Sequence, residues 1–271
     1  MPEITMREVT WADRDVQGAL SALRQASPFV YGLTNYVTAN LSANVLLAAG
    51  AGPAIGAAPG WPSAFAASAG ALWINTACLM SSGPEALIEA ANAAHRAGTP
   101  WVLDPVAVGA GAKAYDDIVR RLLDFRPTVI RGNASELIAL AGGDARAKGV
   151  ETTALSTDAV GFIQDLARAT GAVVAVSGET DYVTDGADTV AIPGGDPKLT
   201  RITGAGCSLG ALIAALLAVT GPPLEATCAA HAIFAVAAER AAAYTRGTAS
   251  FETALIDQLS LLEPEAEGNL T

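Results

Sequence analysis

Thr203-Gly204-Ala205-Gly206-Cys207-Ser208 leads straight into an unbroken apolar run from Leu209 to Val219. With glycine at 204 and 206 and only a methyl group at Ala205, several backbone N–H groups can face one small anion with no side chain in the way. That arrangement holds a phosphate, so Gly204, Ala205, Gly206 and Cys207 are candidate catalytic positions. Cys207 falls in the first turn of the helix that the apolar run predicts, where the positive helix end favours thiolate. Incoming phosphates disfavour it, so the net sign of its pKa shift stays open. Asp104 closes one hydrophobic strand pattern and Glu136 opens the helix after another. Two carboxylates on one rim of a sheet can hold Mg²⁺ directly or through its waters, and Mg²⁺ is what a nucleoside triphosphate brings. Arg131, a rare basic residue in this region, offers phosphate oxygens a forked donor. Each feature has a plainer alternative: a tight strand-to-helix turn for the glycines, an Asx turn for Asp104, a capping box for Glu136, a surface arginine.

These residues need elements to hold them. Apolar residues at helical spacing predict helices over 13–26, 38–49, 62–69, 84–97, 114–124, 134–141, 159–169, 205–219, 223–244 and 249–262. Between them short runs read as strands at 29–33, 54–57, 71–75, 101–103, 128–130 and 173–176. Residues 182–184 and 189–192, around Asp185-Gly186, read as an antiparallel hairpin. Repeated strand–helix units imply an α/β fold in three layers, a mainly parallel central sheet with helices on both faces and one small antiparallel hairpin. Ligands of such sheets sit at the carboxyl ends of the strands, and Asp104, Arg131 and Ser177 all lie just past such ends. No linker or repeat divides the chain, so 1–271 reads as a single domain, with 1–12 and 264–271 as mobile ends.

The chain has 271 residues, 27 acidic against 16 basic, and a net charge of -11. That balance argues against nucleic acid or an anionic membrane surface as partner, since both need a basic face. Although 51% of residues are hydrophobic, the apolar runs are Ala-rich and far shorter than the ~20 residues of a membrane span. No secretory signal is read at the N-terminus, and the three cysteines, Cys78, Cys207 and Cys228, show no paired or C-x-x-C spacing. A reducing cytoplasm is the expected compartment. Cys78 and Cys228 read as small buried hydrophobes, and His95 and His231 as surface or core histidines.

Taken together, the chain from about 27 to 251 resembles the hydroxyethylthiazole kinases, thiamine-pathway members of the ribokinase-like fold. The resemblance is carried by Thr34-Asn35-Tyr36-Val37-Thr38-Ala39-Asn40 with Ser42-Ala43-Asn44, by Leu103-Asp104-Pro105-Val106, and by Ile130-Arg131-Gly132-Asn133-Ala134-Ser135-Glu136. Ser177-Gly178-Glu179-Thr180-Asp181 and Thr203-Gly204-Ala205-Gly206-Cys207 complete it in the same order. It implies transfer of the γ-phosphate of ATP to the hydroxyl of 4-methyl-5-(2-hydroxyethyl)thiazole. It further implies Asp104 and Glu136 near Mg²⁺, Arg131, Asn133 and Ser177 on ATP, and Asn35, Val37, Ile55, Gly204 and Cys207 on the thiazole. A cysteine at 207, where other ribokinase-like kinases usually carry an aspartate base, follows the thiazole branch. Ile55 stands where methionine is usual and Ser177 where threonine is usual, so the apolar wall changes shape while the hydroxyl is kept. A homotrimer with active sites at subunit interfaces is implied by the same resemblance.

Other readings compete less well. The glycines 204, 206 and 210 lack the spacing and following strand of a Rossmann turn, and no Gly-Lys-Ser/Thr marks a P-loop. A kinase of another small alcohol such as a hydroxymethylpyrimidine, an ATP-dependent dehydratase and a non-catalytic thiazole-binding protein are the nearer alternatives.

Overall fold

Runs such as Ala71-Leu72-Trp73-Ile74-Asn75 and Val173-Val174-Ala175-Val176-Ser177 are apolar and short, and glycine or alanine precedes each. Length and β-branched content make them strands, and burial on both faces explains why they are nearly continuous in apolar residues. The computed structural model describes residues 6–143 and 155–264. Its elements are β1 (Arg7–Glu8), α1 (Arg14–Ala26), β2 (Phe29–Leu33), α2 (Ala39–Ala49), β3 (Gly52–Ile55), α3 (Trp61–Ser68) and β4 (Ala71–Asn75). Next come α4 (Pro84–Ala97), β5 (Trp101–Asp104), α5 (Lys113–Leu122), β6 (Val129–Asn133), α6 (Ala134–Leu140) and α7 (Ser156–Thr170). The chain ends with β7 (Val173–Ser177), β8 (Thr180–Thr184), β9 (Thr189–Pro193), α8 (Ala205–Leu217), α9 (Pro223–Tyr244) and α10 (Thr248–Leu261).

One nine-stranded sheet, in the order β1-β9-β8-β7-β6-β5-β4-β2-β3, runs through all of these. Its pairs are parallel except β7–β8 and β8–β9, the expected hairpin widened by one strand. Strand side chains alternate between two cores. Ala71, Trp73, Val102, Val129, Val173 and Ala175 face the core built with α1, α2, α8, α9 and α10. Leu72, Ile74, Leu103, Ile130, Val174 and Val176 face the other, built with α3 to α7. The same two-residue period puts the strand-end residues Asn75, Asp104, Arg131 and Ser177 on the face that α8 covers.

Three expectations change. Residues 7–8, expected in a mobile end, form β1 beside β9, and Val9 is buried with its N–H on the Ala191 carbonyl (3.0 Å). Of the expected mobile ends, residues 1–5 and 265–271 lie outside the described residues. The extended piece expected at 54–57 is β3 at Gly52–Ile55, its register fixed by β2 with Gly32 opposite Ile55. Asp104 and Ser177 are the last residues of their strands and Arg131 lies inside β6, rather than past the strand ends, because β6 continues pairing with β7 as far as Asn133.

Helix α8 lies so close to the sheet that a Cβ at Gly210 would stand 2.7 Å from Trp73 Nε1. Gly210→Ala is expected to destabilise the fold by ~1–3 kcal/mol through overpacking, read as a lower denaturant midpoint. Gly161→Ala in α7, where nothing lies within 4 Å of the added carbon, should instead stabilise by ~0.5–1 kcal/mol.

Candidate active site

Gly204 is the residue before α8, at φ 91°, a conformation that glycine adopts without strain. The first backbone N–H groups of α8, from Ala205 to Cys207, have no carbonyl of their own helix to meet, and the helix dipole adds positive potential there. A Cβ at Gly206 would come 3.1 Å from Arg131 Nη1, so Arg131 lies directly under the glycine cradle. A Cβ at Gly204 would touch Thr38 at 3.1 Å, which places the loop after β2 against the other side.

Beneath α8, four adjacent strands contribute one polar side chain each. The Asn75 amide donates to Asp104 Oδ2 (2.9 Å), Arg131 Nη1 donates to the same oxygen (3.3 Å), and Arg131 Nη2 donates to Ser177 Oγ (2.7 Å). Strand register makes this chain possible, because Asn75 pairs with Asp104 and Leu103 with Ile130. Asp104 is 1% exposed and Arg131 5%. Two buried atoms of this set, Asp104 Oδ1 and Arg131 Nε, have no partner among the described residues. An unpaired buried carboxylate oxygen is costly unless a ligand completes it.

Burial pushes the Asp104 carboxyl up to about 6, against the pull of Arg131, with Glu136 pushing further in the same direction. Burial disfavours the charge on Arg131, but Asp104 and Glu136 outweigh it and hold the guanidinium firmly protonated. For Cys207 the sign is now decided: burial pushes the thiol up to about 11, Asp104 adds to this, and Arg131 with the Asn75 and Thr38 side chains opposes it only in part. The thiolate-favouring helix end is therefore overridden by desolvation.

Each member of the expected carboxylate pair has partners within the chain. Glu136 completes a capping box with Asn133: Asn133 N–H donates to Glu136 Oε2 (2.9 Å) and Glu136 N–H to Asn133 Oδ1 (2.9 Å). Glu136 Oε1 also accepts from Ala107 N–H (2.9 Å), holding a non-glycine residue at φ 61° in the loop after β5. Asp104 makes no Asx turn; its Oδ2 accepts from Asn75 and Arg131. Among the described residues no group of three or more His, Cys, Asp or Glu side chains is arranged to hold a metal by protein ligands alone. A donor set of Asp104 Oδ1, the remaining lone pairs of Glu136, waters and phosphate oxygens still suits Mg²⁺, which keeps several waters and takes few carboxylates.

Asn35 is buried, and its Oδ1 accepts Thr38 N–H (2.9 Å) while its amide points at Met80 Sδ (3.7 Å). Val37 is exposed beside it, and Ile55 closes the end of β3 against Gly32. The sequence assigns no role to Asn75, Thr38, Met80 or Asp181, although Thr38 and Asp181 lie within the motifs quoted above, and His231 is a buried core histidine. Asn75 left a signal as the last residue of a strand on the same alternate face as Asp104.

The hydroxyethylthiazole kinase family model matches residues 20–265. A hydroxyethylthiazole kinase of Burkholderia pseudomallei (strain 668) is 67% identical over 259 residues, 96% of this chain and 94% of the relative. The structure of a hydroxyethylthiazole kinase protein from Pyrococcus horikoshii OT3 superposes with a TM-score of 0.83 at 35% identity, covering 92% of this chain and 93% of that one. A ribokinase-like superfamily protein from Enterococcus faecalis V583 shares the fold at a TM-score of 0.68 and 14% identity, over 96% and 97% of the two chains.

Cys207 is the partly accessible cysteine, Cys78 and Cys228 being buried. With its pKa near 11, its alkylation by iodoacetamide should rise about tenfold per pH unit from pH 7.5 to 9.5 with no plateau, since only thiolate reacts. Mass spectrometry of the intact protein follows this, with Cys207→Ala as the blank; a plateau near pH 8 would contradict the burial argument.

Proposed function

The chain belongs to the hydroxyethylthiazole kinase family, and from that membership together with the site we infer its reaction: ATP-dependent phosphorylation of the hydroxyl of 4-methyl-5-(2-hydroxyethyl)thiazole, for thiamine biosynthesis and salvage. The observation that carries this is the helix N-terminus of α8 set over a buried carboxylate–guanidinium pair at the carboxyl ends of β5 and β6. In the transfer, the substrate hydroxyl oxygen forms a bond to the γ-phosphorus, the bond to the β–γ bridging oxygen breaks, and ADP leaves. Such a transition state is loose, so the protein mostly positions and neutralises.

The backbone N–H groups of Gly204, Ala205, Gly206 and Cys207 receive the transferring phosphoryl oxygens. Arg131, fixed on Asp104 and Ser177, sets positive charge beneath the cradle, with Ser177 and Asn133 on the nucleotide side. Asp104 and Glu136 would hold Mg²⁺, directly or through its waters, and the ion would neutralise charge on the phosphates. On the other side of Gly204, Asn35, Val37 and Ile55 wall the thiazole. Cys207 meets the substrate hydroxyl chiefly as a thiol. With burial holding it protonated, it contributes at or below the low end of the ~10² to 10⁴ typical of general bases, and the proton passes late to the phosphate itself.

Residues 1–271 act as one kinase domain in this reading, supported by the single sheet. The assembly is a homotrimer with active sites at subunit interfaces: Tyr36, Val37 and Met80 stand exposed beside Asn35, an apolar flank that a neighbouring subunit would cover. The working compartment is the cytoplasm; among the described residues no helix is long and apolar enough to cross a membrane.

Incubation with Mg²⁺-ATP and the hydroxyethylthiazole should yield the thiazole phosphate by mass spectrometry, with ADP formed only when the thiazole is present. Asp104→Ala should nearly abolish turnover and flatten its dependence on Mg²⁺. Cys207→Ala should lower kcat by ~10² or less with the KM for ATP unchanged. Retention of normal rate and Mg²⁺ response by Asp104→Ala would move the metal site elsewhere. Light scattering at assay concentration should give a trimer's mass; full activity from a monomer would overturn the interface assignment.

A further inference from the structure

His231 is a fully buried histidine in the alanine-rich middle of α9. Its Nε2 has no partner among the described residues, and its Nδ1 lies 2.6 Å from Asp181 Oδ2. An unpaired polar atom in a core is unfavourable, and a leucine there would avoid it. What the imidazole supplies, and an apolar side chain does not, is the bond to Asp181. Asp181 passes the restraint on, since its Oδ1 accepts the N–H of Gly178 (2.7 Å) in the turn between β7 and β8. From the opposite side the same turn meets the start of α7: Ser156 Oγ donates to the Thr180 carbonyl (2.6 Å), and any side chain at Gly178 would collide with Ser156. The turn is thus clamped between α7 and α9. Its first residue, Ser177, is the one that accepts from Arg131 Nη2 (2.7 Å).

We propose that His231 is a positioning residue for the nucleotide half of the site: through Asp181 it fixes the Ser177–Gly178 turn, and through Ser177 the aim of the Arg131 guanidinium. The inference rests on the kinase reading above. It distinguishes the two halves of the pocket, because the thiazole wall of Asn35, Val37 and Ile55 comes from the loop after β2 and from β3, which the clamp does not touch, while the α8 cradle is common to both halves.

The test is ADP binding in the presence of Mg²⁺ by calorimetry, with steady-state KM values for ATP and thiazole, on the full chain. His231→Leu should weaken ADP binding and raise the KM for ATP severalfold, up to about tenfold if the whole worth of one hydrogen bond to a charged group is lost from the bound state, with the thiazole KM unchanged. His231→Asn, whose amide nitrogen falls near the Nδ1 position, should recover most of the loss. Should His231→Leu not fold, Asp181→Asn decides: it keeps an oxygen for Gly178 and removes the charged acceptor from the imidazole, and the same selective loss is expected. Unchanged nucleotide affinity in folded variants overturns the inference, as does a fall in both KM-derived affinities together with the melting temperature, which would mark His231 as core support only. A wild-type protein that binds no ADP overturns the kinase reading and this inference with it, whereas a failure confined to the variants leaves the kinase reading standing.

Discussion

The buried Arg131–Asp104 pair is the constraint on which this site depends. A guanidinium held within a central strand is tolerated only with an anion beside it, and removing one member of such a pair typically costs ~3–5 kcal/mol. The pair's geometry follows from the sheet: adjacent parallel strands, a shared face and a common level at the carboxyl ends. Asn75 and Ser177 extend it one strand each way. Every other site feature is arranged around this row: Asp104 helps keep Arg131 protonated and pushes the Cys207 thiol up, while Arg131 pulls both acids down.

Close approach of α8 is the second requirement. Its N-terminus has to reach the row without a side chain intervening, which accounts for the small residues at 204–206 and for Gly210 against Trp73. The helix is otherwise buried over nearly its whole length between the sheet, α2 and α9, so the cradle cannot tilt without disturbing the larger core. Rigidity of this kind suits a reaction in which the protein supplies fixed dipoles. The same burial raises the pKa of Cys207, so one cause both stiffens the cradle and weakens its thiol as a base.

The rim loops show how a plain structural use and a functional one share residues. Glu136 closes its own helix and holds the loop after β5 in a left-handed turn at Ala107, yet its charge is still felt at Asp104 and Arg131. Asn35 caps the turn before α2 while its amide faces Met80. Reading such a residue as either structural or functional sets up a false choice, since the hydrogen bonds that fix its orientation are what make it usable.

The alternation of strands and helices, the covered parallel sheet with its antiparallel hairpin, and the glycine cradle before α8 are all legible in the chain's local pattern. Those properties are local: a period of two or of 3.6 residues, a glycine before an apolar run, a cap at its start. Most of the candidate site is legible there too, since Asp104 and Ser177 close strands, Arg131 lies near the end of one and Cys207 opens a helix. Long-range packing sets the rest: β1 joins the far edge, Asn75 meets Asp104 across 29 residues and His231 meets Asp181 across 50, and the Cys207 thiol is pushed upward. Sheet order, contacts between distant segments and desolvation are sums over chain segments that no local window contains, and a pKa set by competing burial and charge takes its sign from that sum.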